Sequence, residues 1–257
     1  MSGIYSKTSI ILLLLFATGS WFSCNQKNGG SESETKNETI NQMDQRVTLF
    51  PEIEQYLQSS LSESLQIAKE RQKIIEGIAQ YVSSKIEKDG KAQLTFICTH
   101  NSRRSHMGQV WAKAAATYFG FGEKLETYSG GTEATAFNPR AVKAVSDAGM
   151  RIENPGGQNP HYLVHFSGEA PPLECFSKKY DDMFNPKSGF GAVMTCSDAD
   201  ANCPIVPGAE ARFALTYEDP KEADNTSEEE TRYAERSKQI ASEMMWLMKL
   251  IAEDIKS

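Results

Sequence analysis

The stretch Phe96-Ile97-Cys98-Thr99-His100-Asn101-Ser102-Arg103-Arg104-Ser105 passes from an apolar run into a short polar loop and then into a helical pattern. Upstream, residues 93–97 read as a buried strand; downstream, residues 105–119 read as a helix, with Trp111, Ala115 and Tyr118 at helical spacing. The same rhythm continues outward. Residues 125–129 read as a strand, 139–148 as a helix, 191–195 and 213–217 as strands, and 228–256 as a long closing helix. Its stripe of Ile240, Met244, Leu247, Met248, Ile251 and Ile255 faces a core. Strands alternating with helices predict an α/β fold, a mostly parallel sheet covered by helices.

In such sheets, binding sites lie outside the carboxyl ends of the strands. Cys98 is delivered there, five residues intervene, and Arg104 and Ser105 open the next helix. A loop of this kind can curl its N–H groups around one point, and the helix N-terminus adds partial positive charge. Arg104 supplies a planar fork of donors matched to a tetrahedral oxyanion. The same field favours a thiolate at Cys98, to which Ser105 can donate, so Cys98 is the expected nucleophile. Thr99, His100, Asn101, Ser102, Arg103 and Ser105 are the expected substrate-binding set. The competing reading is an inert cysteine at a strand end.

The chain carries 27 Lys+Arg against 34 Asp+Glu, a net charge of −7, which argues against non-specific nucleic-acid binding. Its 39% hydrophobic content suffices for a core and excludes a multi-spanning membrane protein. His100, Arg103, Arg104 and His106 are expected to form a locally basic loop that attracts an anion.

Residues 1–24 read as a lipoprotein-type signal: Lys7, an apolar run over 10–17 too short to span a bilayer, and Ser23 before Cys24, the expected lipidation site. Trp21 stands where a Leu is usual; an ordinary secretory signal or an unprocessed anchor is the alternative. Residues 25–48 are polar and read as a flexible tether. Residues 49–90 form a helical extension with Ile53, Leu57, Leu61, Leu65, Ile75, Ile78, Val82 and Ile86 on its apolar positions. Pro51 suits its start, Gly90 its stop, and the serines over 59–64 a break. Mixed charges make it a layer packed on the domain behind, 91–257. Within that domain lies an insert at about 154–188, where 162–166 and 173–177 suit a small hairpin. His161 and His165, four residues apart near Pro160, make no convincing metal pair; Trp111 and Trp246 read as core.

Taken together, Cys98-Thr99-x-Asn101-Ser102-x-Arg104-Ser105-x-Met107, Trp111-Ala112-Lys113, Tyr128-Ser129-x-Gly131-x-Glu133-Ala134 and Asn138-Pro139-x-Ala141 resemble the low-molecular-weight protein tyrosine phosphatase superfamily. Within it they are closest to the thioredoxin-coupled arsenate reductases. The resemblance runs from about Leu94 to the C-terminus, with His100 where Gly is usual and Arg103 where a small residue is usual. It implies a four-stranded parallel sheet flanked by helices. It also implies that Asp219, in Tyr217-Glu218-Asp219-Pro220, is the general acid, with Glu218 the neighbouring candidate.

The segment Thr195-Cys196-Ser197-Asp198-Ala199-Asp200-Ala201-Asn202-Cys203-Pro204 resembles the reductases in its Cys-x6-Cys spacing and following Pro. By that resemblance Cys196 resolves an adduct on Cys98, and Cys203 then pairs with Cys196. If 196–203 is helical, the two Cα atoms sit about 10 Å apart, whereas a disulfide needs roughly 4.4 to 6.8 Å, so oxidation is expected to unwind the segment. A static disulfide is the rival; two cysteines without a nearby His make a poor zinc set. Cys175, in the insert, matches nothing in the pattern.

The expectation is therefore an exported, membrane-anchored bacterial lipoprotein on the periplasmic or cell-surface side. It would act on arsenate, or on a phosphate monoester if it is a phosphatase. It would need no tightly bound cofactor and no metal, only an external thiol reductant such as a thioredoxin-like protein. Thioredoxin itself is a cytoplasmic reductant, so an exported relay would need a dedicated partner outside. A non-catalytic oxyanion-binding lipoprotein is the third reading.

Overall fold

In the computed structural model, which describes residues 47–256, the pattern of alternating buried runs becomes two sheets and six α-helices. The extension forms α1 (Pro51–Glu63) and α2 (Lys69–Asp89), separated by a 3-10 turn at Ser64–Gln66. Pro51 occupies the first turn of α1, where its missing N–H costs nothing, and Gly90 ends α2 at φ +77°, a left-handed conformation that Gly adopts without strain. Leu65 falls in the break and is exposed rather than on the apolar stripe. The last residue of the expected tether is fastened: Thr48 N donates to Glu169 Oε2, and Ser167 Oγ donates to Thr48 O. The signal segment, Cys24 and the tether up to residue 46 lie outside the described residues.

The main sheet has four parallel strands in the order β2 (Leu125–Gly131), β1 (Ala92–Cys98), β6 (Phe190–Met194), β7 (Ala209–Ala214). Central β1 is buried almost throughout, as a strand covered on both faces must be. Leu94, Phe96 and Val193 join the large core with α2, α3 (Arg104–Tyr118) and α6 (Glu229–Asp254). Ile97, Cys98, Ala192, Met194 and Cys196 join a second, smaller core. The last strand begins earlier than expected: 209–214, not 213–217. Beyond it the chain is irregular, with Leu215 and Tyr217 buried and Thr216 half-buried, and Tyr217 N donates to Thr195 O.

Asn138 caps α4 (Pro139–Asp147) by accepting from Arg140 N, with Pro at the first turn. The insert does contain the expected hairpin, β4 (Tyr162–His165) with β5 (Leu173–Cys175), and β3 (Arg151–Glu153) adds an unforeseen third antiparallel strand. His161 and His165 pair with Glu174 and Glu153 across this sheet. Trp111 is fully buried, stacked on Tyr56 of α1 with ring centroids 4.8 Å apart, and its Nε1 donates to Ser237 Oγ on α6. Trp246 packs against the same core. The described residues 47–256 fall in one compact unit, so the extension is part of the domain rather than an appendage. Among the described residues no helix is long and apolar enough to cross a membrane.

Candidate active site

The loop from Cys98 to Arg104 turns because Asn101 adopts φ +45°, a left-handed conformation that Asn tolerates better than most residues. Its fully buried side chain fastens the turn from both ends: Nδ2 donates to Ser105 Oγ at 2.9 Å, and Oδ1 accepts from Lys178 N at 2.9 Å. Ser105 Oγ lies 3.1 Å from Cys98 Sγ. Because that oxygen already accepts from Asn101, its hydrogen is free to point at the sulfur. Among the described residues, none of the backbone N–H groups from His100 to Arg103 donates to another protein group. Gly131 lets strand β2 pass close beneath: a Cβ there would sit 2.7 Å from Asn101 N and 2.7 Å from Thr99 O.

Arg104, at the start of α3, is 8% exposed. Its Nη1 donates to Tyr217 O at 2.7 Å and its Nη2 to Asp219 Oδ2 at 2.5 Å, while Nε is buried without a partner. Asp219 also caps the 3-10 turn Pro220–Ala223, accepting from Lys221 N, with Pro220 at the turn's first position. Glu218 instead points outward, 93% exposed at its side chain and paired with Arg236. Of the two acid candidates, Asp219 is the one that touches Arg104. Beside Asp219 lies an open cleft of about 610 Å³, bordered by Glu218, Pro220, Arg232 and Arg236.

The expected basic loop is not what forms. Arg103 donates to Tyr233 OH at 2.7 Å and pairs with Asp224 at 3.4 Å; His100 is exposed and pairs with Glu133 at 3.6 Å. Arg103 Nε also lies 3.9 Å from Asp219 Oδ1, so its side chain stands beside the acid candidate, while His100 is turned to Glu133. His106 is fully buried, stacked on Phe137, and burial holds its pKa well below the usual imidazole range. It is therefore neutral. Ser102 Oγ is likewise engaged, donating to Ala136 O. Carboxylates cancel most of the positive charge, and the anion-attracting elements left are the loop amides, the helix terminus and Arg104.

Cys196 caps α5 (Ser197–Asn202), its Sγ accepting from Ala199 N at 3.4 Å and lying 3.4 Å from Thr99 Oγ1, one residue beyond the nucleophile. Cys203 terminates the same helix and is partly exposed; Cys98, Cys175, Cys196 and Cys203 are all free thiols. Cys175 is fully buried, and burial pushes its thiol up to about 12, which suits an inert core residue.

Sequence reasoning missed the insert's hold on the loop. Ser177 Oγ donates to His100 O, Lys178 N reaches Asn101, and the 178–180 backbone pairs with Gly131. Lys178 Nζ is buried over the rings of Phe176 and Phe184, and burial lowers its pKa to about 8. Among the described residues no group of three or more His, Cys, Asp and Glu is placed to hold a metal.

A four-stranded parallel sheet, helices around it and a cysteine loop at its carboxyl edge place the chain in the α/β class. No protein-family model matches the chain. Arsenate reductase 2 of Staphylococcus epidermidis is 32% identical over 130 residues, 51% of this chain and 79% of its own length. The arsenate reductase of Bacillus licheniformis is 30% identical over 149 residues, 57% of this chain and 86% of its own. A low-molecular-weight phosphotyrosine phosphatase from Vibrio cholerae aligns at TM-score 0.42 and 15% identity, over 62% of this chain and 95% of that one. The chain belongs to the arsenate reductase family. It is an enzyme, which sets aside the non-catalytic reading.

Proposed function

We propose that the chain reduces arsenate through a relay of three thiols. The observation that carries this reading is a second buried thiol, Cys196, one hydrogen bond from the loop of the first. Arsenate would replace Asp219 on Arg104 and take hydrogen bonds from the loop amides. The Cys98 thiolate attacks arsenic, an As–O bond breaks, and the Asp219 carboxyl, which takes a proton from solvent once arsenate has displaced it from Arg104, passes that proton to the leaving oxygen, which departs as water. Cys196 thiolate then attacks Cys98 Sγ. The new S–S bond forms as the S–As bond breaks, and its electron pair reduces As(V) to As(III), released as arsenite. Finally Cys203 thiolate attacks Cys196 Sγ and frees Cys98. An external dithiol protein of thioredoxin type would reduce the Cys196–Cys203 bond.

One observation favours a second reading, phosphomonoester hydrolysis by Cys98, Arg104 and Asp219 alone. A cleft of about 610 Å³ opens on Asp219, the group that would protonate an organic leaving oxygen, though no residue of the 98–105 loop lines it.

Turnover of arsenate with a dithiol reductant, and of an aryl phosphate, separates the readings in wild type, Cys98→Ser and Cys196→Ser. Both activities should vanish in Cys98→Ser. Cys196→Ser should lose arsenate turnover and keep phosphatase turnover; arsenate reduction surviving in Cys196→Ser would remove the relay. We also propose lipid anchoring at Cys24 outside the cytoplasm; fatty-acid labelling in the native host should be lost in Cys24→Ala.

A further inference from the structure

We propose that Arg71, on helix α2 of the N-terminal extension, is a positioning residue for the acid loop, acting through the Thr216–Tyr217 backbone. This rests on the reading that Cys98, Arg104 and Asp219 carry the chemistry.

Three contacts converge on Arg71. Its Nε and Nη2 donate to the two oxygens of Glu243 on α6, at 2.6 and 2.8 Å, a bidentate pair. Its Nη1 donates to Thr216 O at 2.9 Å, and its guanidinium lies over the Tyr217 ring, 5.0 Å from the centroid. Glu243 is 2% exposed. A carboxylate so buried needs its partner, which makes the pair a fixed anchor rather than a surface ornament.

The segment it grips is irregular. Strand β7 ends at Ala214 and the 3-10 turn begins at Pro220, so no ladder bond of the sheet holds 215–219. Apart from Tyr217 N on Thr195 O, the carbonyls at 216 and 217 are fixed by two arginines from opposite sides. Arg71 takes Thr216 O from the extension, and Arg104 takes Tyr217 O from the oxyanion loop. Two residues further on, Asp219 meets the same Arg104. The extension therefore reaches the site through one guanidinium, and the order runs Glu243, Arg71, Thr216–Tyr217, Arg104 and Asp219.

Leaving-group dependence tests this, because a displaced acid is felt only where the leaving oxygen needs a proton. Arg71→Met and the neutral double variant Arg71→Met/Glu243→Leu, which leaves no unpaired buried charge, would be compared with wild type and Arg71→Lys on phenyl phosphate and 2,4-dinitrophenyl phosphate. The expected result is a loss of kcat/KM of tenfold or more on phenyl phosphate, at least threefold smaller on the dinitrophenyl ester, with Arg71→Lys partly restored. Hydrogen exchange should rise over 215–220 and not over β1. Equal losses on both esters with exchange raised throughout, or kcat/KM within twofold of wild type with unchanged exchange at 215–220, would overturn the proposal. If wild type turns over neither ester nor arsenate, the catalytic reading fails instead, and the exchange comparison alone decides whether Arg71 holds the segment.

Discussion

A thiol attacks at neutral pH only where its anion is stabilised, and beside Cys98 stands Ser105 Oγ, 3.1 Å away and accepting from Asn101. Removing the hydroxyl in Ser105→Ala leaves the sulfur in place but takes away that hydrogen bond and frees the Asn101 amide. Hydrogen bonds to charged groups are worth about 1.5–3 kcal/mol, so alkylation of Cys98 by iodoacetamide at pH 7 should slow by about tenfold or more. An unchanged rate would show that the loop amides alone suffice. Lys178 offers a second test at this scale. Burial has lowered its pKa from 10.5 to about 8, so the unfolded chain binds more protons than the folded one between those values. Stability contributed by this group therefore rises with pH from about 8 towards 10.5. Lys178→Met should raise thermal stability at pH 7, by on the order of 2–3 kcal/mol, and the gain should shrink as pH approaches 10. A gain independent of pH would assign the effect to packing instead.

Among the elements, α5 is the one whose geometry conflicts with its expected chemistry. Cys196 and Cys203 bracket six helical residues, which leaves their Cα atoms about 10 Å apart, beyond the roughly 4.4–6.8 Å of a disulfide. Oxidation must unwind it. The oxidised protein should show faster hydrogen exchange and new protease cleavage over 196–204, and the reduced protein should not; identical protection in both states would sink the relay's last step. Strand β1 and helix α3 were foreseeable from spacing alone, because long, strongly patterned segments buried on two faces leave a plain trace; α5, six mostly polar residues with Ala199 buried, leaves none. Strand β7 was less legible. It is an edge strand whose residues are mostly half-buried, so Ala209-Glu210-Ala211-Arg212 carries no apolar run, while the run that does exist, Phe213 to Tyr217, is buried for a different reason, as the approach to the acid loop. The pairing of Asp219 with Arg104 follows from chain placement. The neutral state of His106 and the diversion of Arg103 to Asp224 and Tyr233 follow from long-range packing that no local pattern encodes.

At the scale of the whole molecule, the question is whether residues 91–257 stand alone. Ile53, Leu57, Ile75, Ile78 and Val82 are fully buried and Ile86 nearly so, all in the core shared with α3 and α6. At about 1.5–3 kcal/mol per fully buried aliphatic side chain, these six contribute on the order of 10 kcal/mol, comparable with the 5–15 kcal/mol net stability of a typical domain. Tyr56 stacked on Trp111 and Arg71 clamped to Glu243 add contacts that only the extension supplies. Without it, Glu243 loses its counter-charge and the apolar surface of α6 meets water. A chain starting at residue 91 should therefore bind a hydrophobic dye, lose its near-ultraviolet circular dichroism and show no cooperative thermal transition, while a chain starting at residue 47 should keep all three properties of the intact protein. A milder change should follow the same logic. Ile78→Ala should cost about 2–5 kcal/mol and lower the melting temperature without altering the pH dependence of turnover. Cooperative unfolding of the chain from residue 91 would show that the extension is a separate layer, and that the parallel sheet with its oxyanion loop is stable on α3, α4 and α6 alone.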